Sequence, residues 1–482
     1  MSVRRAASAS VWSTLDLALR QGVQFAVSLI LARLLAPADF GVIAILAFFA
    51  TFVINVVQGG LSTAIIQRQD TSAIEESSLF WVNLVASSLL GGFLLLIAPA
   101  LARFYALPVL QPLMLITAAQ VVLGALGAVH NALLTRELRF DRLVKAGVVS
   151  AILSGVTGIT AAMNGFGVWA LALQGLVSIG ANSAALWLLC GWRPTAGLRF
   201  SALRSLIGFG GWVSLSSALD VLYTQGFSLL VGKLHGITDL GFYNRAYGTQ
   251  LLPANLLSSV LGRVALPAFS SRTDDKEGIR RGMRLANSFG MLINAPIMIG
   301  LALLSRDIVV TLFGAKWLPA APILSILALS GLLLPLHVIN LQVLLAHGEA
   351  KLFFKIEISK KLFSVFAVAI GSLFGIVGLA WSQVLVSAVS LLFNARPAKR
   401  RFGYGLAAQF RDISGVALAT AIMAAAVFAL TWSVALPPLL ELLVAVPLGA
   451  AVYAMAGFGL RLHSFTEALE VGRGLFARPE TV

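Results

Sequence analysis

The sequence predicts an all-α, polytopic membrane protein of about 14 transmembrane helices, and three observations carry that prediction. Of its 482 residues, 59% are hydrophobic and only 11% are charged, where soluble chains carry about 25% charged residues. The apolar residues gather in runs of about 20, the length a helix needs to cross the hydrocarbon core at about 1.5 Å per residue. The basic residues fall on alternate connections: sorted by loop parity, 27 of the 35 Lys and Arg lie on one side, 5 on the other and 3 within spans. The positive-inside rule then places both termini in the cytoplasm. The same split removes the nucleic-acid partner that a net charge of +15 would invite. The basicity is topological.

Taken in order, the runs place spans near 11–32, 41–66, 78–102, 112–134, 146–163, 166–190, 207–232, 241–266, 285–304, 320–345, 358–374, 376–394, 412–433 and 437–460. The first follows Arg4-Arg5 as a secretory signal would, but it is too long and holds Asp16 and Arg20. It reads as an uncleaved helix. Asp16, Arg20 and Gln24, at i, i+4 and i+8, share one helical face, with Gln21 beside it. A charge near the bilayer centre costs about 2.5–3.5 kcal/mol. Two readings stay open: a private Asp16–Arg20 ion pair, or a polar stripe lining a water-filled cavity. Outer loops such as Ala36–Phe40, Met163–Gly165 and Val434–Pro438 are short, and no connection is large enough for a soluble catalytic domain.

The first segment recurs. Shifted by 200 residues without a gap, Ser28-Leu29 meets Ser228-Leu229, Arg33 meets Lys233, Asp39 meets Asp239, Gly41 meets Gly241 and Asn55 meets Asn255. A second echo pairs the stretch Gln174 to Ser178 with Gln383 to Ser387. Matched leucines mean little in so apolar a chain, whereas matched Asp, Gly and Asn mean more. The chain reads as two homologous halves, a duplication common among transporters. The expected organisation is a six-helix bundle over 1–204, a second over 205–401, two further spans over 402–461 and a cytoplasmic tail over 462–482. Six is even, so the repeats are parallel, with a cavity expected between them.

Polar groups inside the membrane gather on the first two spans of each half. In the first half they are Asp16, Arg20, Gln21 and Gln24, then Asn55 and Gln58. In the second they are Asp220, Tyr223 and Gln225, then Tyr243, Asn244, Arg245, Tyr247, Gln250 and Asn255, with Arg263 further along the same span. His130-Asn131 and His337 with Asn340 are isolated sites, read as interhelical hydrogen bonding rather than proton carriage. Pro253, Pro267, Pro296 and Pro335 are expected to kink their helices. The single cysteine, Cys190, excludes an intrachain disulfide and a Cys-based metal cluster. No phosphate-binding glycine loop and no metal-ligand spacing occurs. The expectation is therefore no enzyme, no cofactor and no metal, with transport driven by protons, sodium, the membrane potential or the substrate's own gradient.

Several stretches resemble a known family. Residues 32–41 (Ala-Arg-Leu-Leu-Ala-Pro-Ala-Asp-Phe-Gly), 131–140, 165–170 and 240–247 are similar to the bacterial polysaccharide transporter family, nearest its lipopolysaccharide and colanic-acid exporters, within the multidrug/oligosaccharidyl-lipid/polysaccharide exporter superfamily. The likeness runs from about Arg5 to Arg401. It implies twelve core helices in two bundles, commonly with two more. It further implies a flippase carrying a polyprenyl-pyrophosphate-linked oligosaccharide across the inner membrane for exopolysaccharide, capsule or lipopolysaccharide assembly. Its partners would be that substrate, membrane lipids and other polysaccharide-assembly membrane proteins. A cationic cavity recurs in the family, and here Arg20, Arg245 and Arg263 would supply it. Arginine suits pyrophosphate because its planar fork donates paired, charge-assisted hydrogen bonds. Tyr223, Tyr243 and Tyr247 would stack on sugars or anchor at the interface. Two rivals remain. A cation-coupled multidrug exporter would favour an acidic or apolar cavity, and a membrane glycan polymerase or ligase would need a large outer loop.

Overall fold

The computed structural model describes residues 22–461 apart from 69, 196, 198 and 271–274, and gives backbone alone at 59, 61, 200–209, 212, 259, 260, 262–268, 270 and 350. Asp16, Arg20, Gln21 and the tail therefore lie outside the described residues, as does the Arg263 side chain. All regular structure among the described residues is helical. The first half runs α1 (Gly22–Leu34), α2 (Pro37–Ile54), a π-helical turn (Asn55–Gly59), α3 (Gly60–Gln67), α4 (Ala73–Tyr105), α5 (Leu110–Arg136), α6 (Phe140–Met163) and α7 (Val168–Leu189). There follow α8 (Phe200–Leu234), α9 (Ile237–Ser270), α10 (Lys276–Leu303), a short α11 (Ser305–Phe313), α12 (Ala320–Gly331), α13 (Leu334–Ala346), α14 (Ala350–Ser372), α15 (Gly375–Phe402), α16 (Leu406–Ser433) and α17 (Pro438–Gly459).

Among the described residues, 10 helices are long and apolar enough to cross a membrane. The remaining predicted spans fall on α1, α8, α9 and α14, and the last of these is held back by Lys351, Lys355, Glu357, Lys360 and Lys361 in its first half. The chain is thus a multi-span membrane protein, consistent with the expected count.

Two predicted spans are not continuous α-helices. In the second, the ladder widens into the π turn, and the Gly60 N–H beyond it donates to Ser214 Oγ at 3.1 Å. Gly60 allows this approach, since a Cβ there would sit 1.8 Å from the Gly210 carbonyl oxygen. The span near 320–345 breaks between α12 and α13, where Pro335 lies in the first turn of α13 and has no N–H to continue the ladder. The Gly331 and Leu332 carbonyls at the break accept from Asn294 Nδ2 at 3.0 and 2.9 Å. Pro253 and Pro296 interrupt neither α9 nor α10.

The described chain divides into two compact units, 1–244 and 245–482. Within the first, α5 packs between α4 and α7, α6 lies along α7, and α2 and α3 rest on α5 and α8. Ser77 Oγ and Ser78 Oγ accept from the Thr195 and Arg199 amides at 3.1 Å each, which ties down the loop after α7. The 200-residue repeat is visible in the packing of this unit. A Cβ on Gly41 would sit 1.9 Å from the Ile237 carbonyl oxygen, and one on Gly241 would sit 2.0 Å from that of Pro37. The contact pairs are themselves repeat partners, so the first turns of α2 and α9 cross with local two-fold symmetry. Asp39, third in α2, accepts from the Ala36 N–H at 2.9 Å, and Asp239 takes the same position in α9.

Within the second unit, α15 packs on α12, α13 and α14, while α16 packs on α10 and α17. Tyr453 of α17 donates to the Leu292 carbonyl at 2.8 Å, and the side-chain amides of Asn340 and Gln409 bond reciprocally at 3.0 Å. These bonds seat the last two helices among apolar residues of α10, including Met291, Leu292 and Ala295.

Candidate substrate cavity

A cavity of about 410 Å³ opens inside the first unit, walled by α1, the π turn, α3, α5, α6 and α7. The π turn contributes Asn55 and Gln58, α1 contributes Gln24 and α3 Ser62. Asn131 comes from α5, Ser150 from α6, and Ser178, Asn182 and Ser183 from α7. The widened turn rotates Asn55 and Gln58 off the regular helical register, a device frequent at functional sites. Gly124 and Gly127 on α5 make room. A Cβ on Gly127 would lie 2.7 Å from Ser183 Oγ, and one on Gly124 would lie 3.6 Å from Gln58 Nε2. Close approach lets α7 donate twice to α5, from Ser183 Oγ to Leu123 O at 2.7 Å and from Trp187 Nε1 to Leu126 O at 2.8 Å.

Among the described residues this lining carries amides and hydroxyls and no ionisable group. Some of its polar capacity is spent locally: Asn55 Nδ2 donates to Thr51 O at 2.9 Å and Ser150 Oγ to Gly147 O at 2.8 Å. Gln58 Nε2 is buried with no hydrogen-bond partner. An unmet buried amide donor costs about 1–3 kcal/mol, so this one is available to a polar ligand or to water.

The sequence candidates distribute unevenly. Gln24 and Asn55 meet in this cavity. Asp220 is exposed and Tyr223 half-buried on α8, while Tyr243 is buried with its ring 6.1 Å from Phe227. The remaining candidates belong to the second unit. Tyr247 and Asn255 are exposed there, and the Arg245 guanidinium lies 4.9 Å from the Phe313 ring and 5.3 Å from that of Trp317. Both rings are fully buried, and both lie within cation–π distance of the guanidinium.

The family model for polysaccharide biosynthesis proteins matches residues 30–322. The chain belongs to that family. A second model, that of the lipid II flippase MurJ, matches residues 236–444. This polysaccharide biosynthesis protein is 28% identical to the teichuronic acid biosynthesis protein TuaB of Bacillus subtilis (strain 168) over 428 residues, 87% of each chain. It is 26% identical to the lipopolysaccharide biosynthesis protein WzxC of Escherichia coli (strain K12) over 82% of this chain and 81% of that one. Its fold matches that of a lipid II flippase MurJ in an inward closed conformation with a TM-score of 0.75, over 94% of this chain and 99% of the other at 14% identity.

Most of the cavity wall is not legible in the sequence of this family member. Gln58 and Asn131 stand out as intramembrane polar residues, but Ser62, Ser150, Ser178, Asn182 and Ser183 do not. The one usable signal is the i, i+4 spacing of Ser178 and Asn182, which puts both on one face of α7.

Proposed function

We propose that this polysaccharide biosynthesis protein is a flippase for a polyprenyl-pyrophosphate-linked oligosaccharide, working in the bacterial inner membrane with both termini cytoplasmic. The observation that carries this reading is the uncharged amide and hydroxyl lining of an open cavity among apolar helices. Each sugar hydroxyl both donates and accepts, and Asn, Gln and Ser side chains match that dual character. A fixed charge would have to be desolvated for a neutral sugar; an amide demands far less. Membership of the family, the relatives named for glycan assembly and the fold shared with a lipid II flippase all support the reading. The 27-to-5 split of basic residues supports the orientation.

In this scheme the glycan enters the neutral cavity and the lipid tail stays in the bilayer. In the first unit Arg20, with Asp16 tuning it, meets the pyrophosphate, and in the second unit Arg245 is the corresponding candidate. Alternating access then exposes the sugar to the other side. Outward movement of an anion from a negative-inside cell is favourable by about 2.3 kcal/mol per charge per 100 mV.

The test is transfer of a lipid-linked oligosaccharide across proteoliposome membranes by the wild type and by the Asp16→Asn/Arg20→Gln variant. Wild-type transfer with loss in a normally inserted variant is the expected result. Drug efflux without glycan transfer would overturn the flippase. Full transfer by the variant would return Asp16 and Arg20 to a private ion pair.

A further inference from the structure

One part of the basic belt is built more closely than topology requires. Near the starts of α10 and α16, Arg280, Arg281, Arg284 and Arg411 surround a pocket of about 70 Å³ that Glu277, Tyr404, Ala408 and Asp412 also line. Two of the arginines already have carboxylates. Glu277 lies 3.6 Å from Arg280 in an exposed pair, and the largely buried Asp412 lies 3.3 Å from Arg284. Among the described residues, Arg281 and Arg411 have no carboxylate within ion-pair distance. The pocket therefore holds two guanidinium groups in excess.

Tyr404 sits in the turn between α15 and α16, which Gly403 reverses at φ 65°. Its ring is 1% exposed, and no hydrogen bond of normal geometry reaches its buried hydroxyl, although Asn287 and Asp412 stand close. Burial pushes its pKa up, so the phenol keeps its proton and can donate. Above the pocket the surface turns apolar along an inclined ridge of α10. Leu285, Phe289, Ile293 and Ile297 follow Arg281 at four-residue intervals on α10, and all four are exposed. On α16, Leu418 and Ile422 are exposed beyond Arg411.

A cationic pocket at one end of an exposed apolar stripe matches an anionic headgroup with its acyl chain. We propose that this pocket binds the phosphate of an anionic phospholipid, with Arg281 and Arg411 gripping its oxygens, Tyr404 donating a third hydrogen bond and an acyl chain lying along the α10 stripe. The volume suits a tetrahedral oxyanion and not a sugar, and paired in-plane donors favour arginine over lysine. Basic pockets between spans on the cytoplasmic side are recognised headgroup sites. Placement in the inner leaflet rests on the orientation proposed above; the lipid preference does not.

The experiment measures phospholipid retained by the purified full-length protein, using native mass spectrometry after exchange into phosphatidylglycerol, phosphatidylcholine or polyprenyl phosphate. Wild type should retain phosphatidylglycerol at least ten-fold better than phosphatidylcholine. Arg281→Lys/Arg411→Lys, which keeps the charge, should lose that preference, and Arg139→Lys/Arg400→Lys, elsewhere in the belt, should keep it. Tyr404→Phe gives a second reading with charge untouched: a two- to five-fold loss is expected. Equal retention by the Arg281→Lys/Arg411→Lys variant, or equal loss by the belt control, would reduce the pocket to diffuse electrostatics. Retention of polyprenyl phosphate with no phosphatidylglycerol would overturn the phospholipid assignment in favour of the carrier lipid.

Discussion

Ser178 and Ser387 occupy equivalent places in a repeated stretch of sequence, and the two units diverge around them. Ser178 lines an uncharged cavity of about 410 Å³. Ser387 is half-buried in a side-chain network: its hydroxyl donates to Ser330 O at 2.8 Å and lies 3.3 Å from His337 Nε2. His337 Nδ1 is 3.0 Å from Asn394, whose side-chain oxygen is 3.3 Å from Lys360 Nζ, and Lys360 pairs with Glu357. One scaffold thus carries an open, neutral polar space in one unit and a filled, charged one in the other. Opening such a space requires glycines, here Gly124 and Gly127, and amides whose partners are left unassigned. Filling it requires long side chains that satisfy one another. The first arrangement suits a ligand; the second gives rigidity, since removing any member strands the rest.

The comparison breaks first at Lys360. Its side chain is 14% exposed and that of Glu357 27% exposed, so Lys360→Ala leaves a poorly solvated carboxylate. The pair is half-buried, so the expected cost is about 3 kcal/mol at most, the lower limit for breaking a fully buried pair. Thermal unfolding in detergent measures it, and Glu357→Gln/Lys360→Gln should recover most of the loss. Wild-type stability in Lys360→Ala would mean that the second unit is as open as the first.

Next comes the open cavity itself. Gly124→Leu places a side chain beside Gln58 with little backbone penalty, because a Cβ there makes only ordinary contacts. Transfer of lipid-linked oligosaccharide should fall about a hundred-fold, about 2.7 kcal/mol of lost productive binding, at normal membrane levels. Retained transfer would detach the cavity from the substrate path.

The smallest effect tests how tightly the cavity wall is made. Gly127→Ala brings a methyl group to 2.7 Å from Ser183 Oγ, so α7 must shift or release the Leu123 carbonyl. A loss of about 1 kcal/mol in unfolding stability is expected, as for modest overpacking. No loss would show that the α5–α7 contact is loose enough to breathe.

The sequence by itself determined the fold class, the run of spans and the repeat. Length, apolar content and the placement of basic residues act through the bilayer, whose thickness and low polarity are the same whatever the helices touch. Asn55 and Gln58 were legible for the same reason: an amide on an apolar span costs free energy wherever it points. Ser150, Ser178 and Ser183 were not, because a serine on a helix can satisfy itself on a carbonyl of its own previous turn, as Ser150 does on Gly147. Whether it also faces a ligand depends on how near a second helix comes. Only the tertiary structure decided that. The π turn, the α12–α13 break, the aromatic rings beside Arg245 and the contrast between Ser178 and Ser387 all depend on contacts between residues far apart in the chain, which spacing along one helix does not encode.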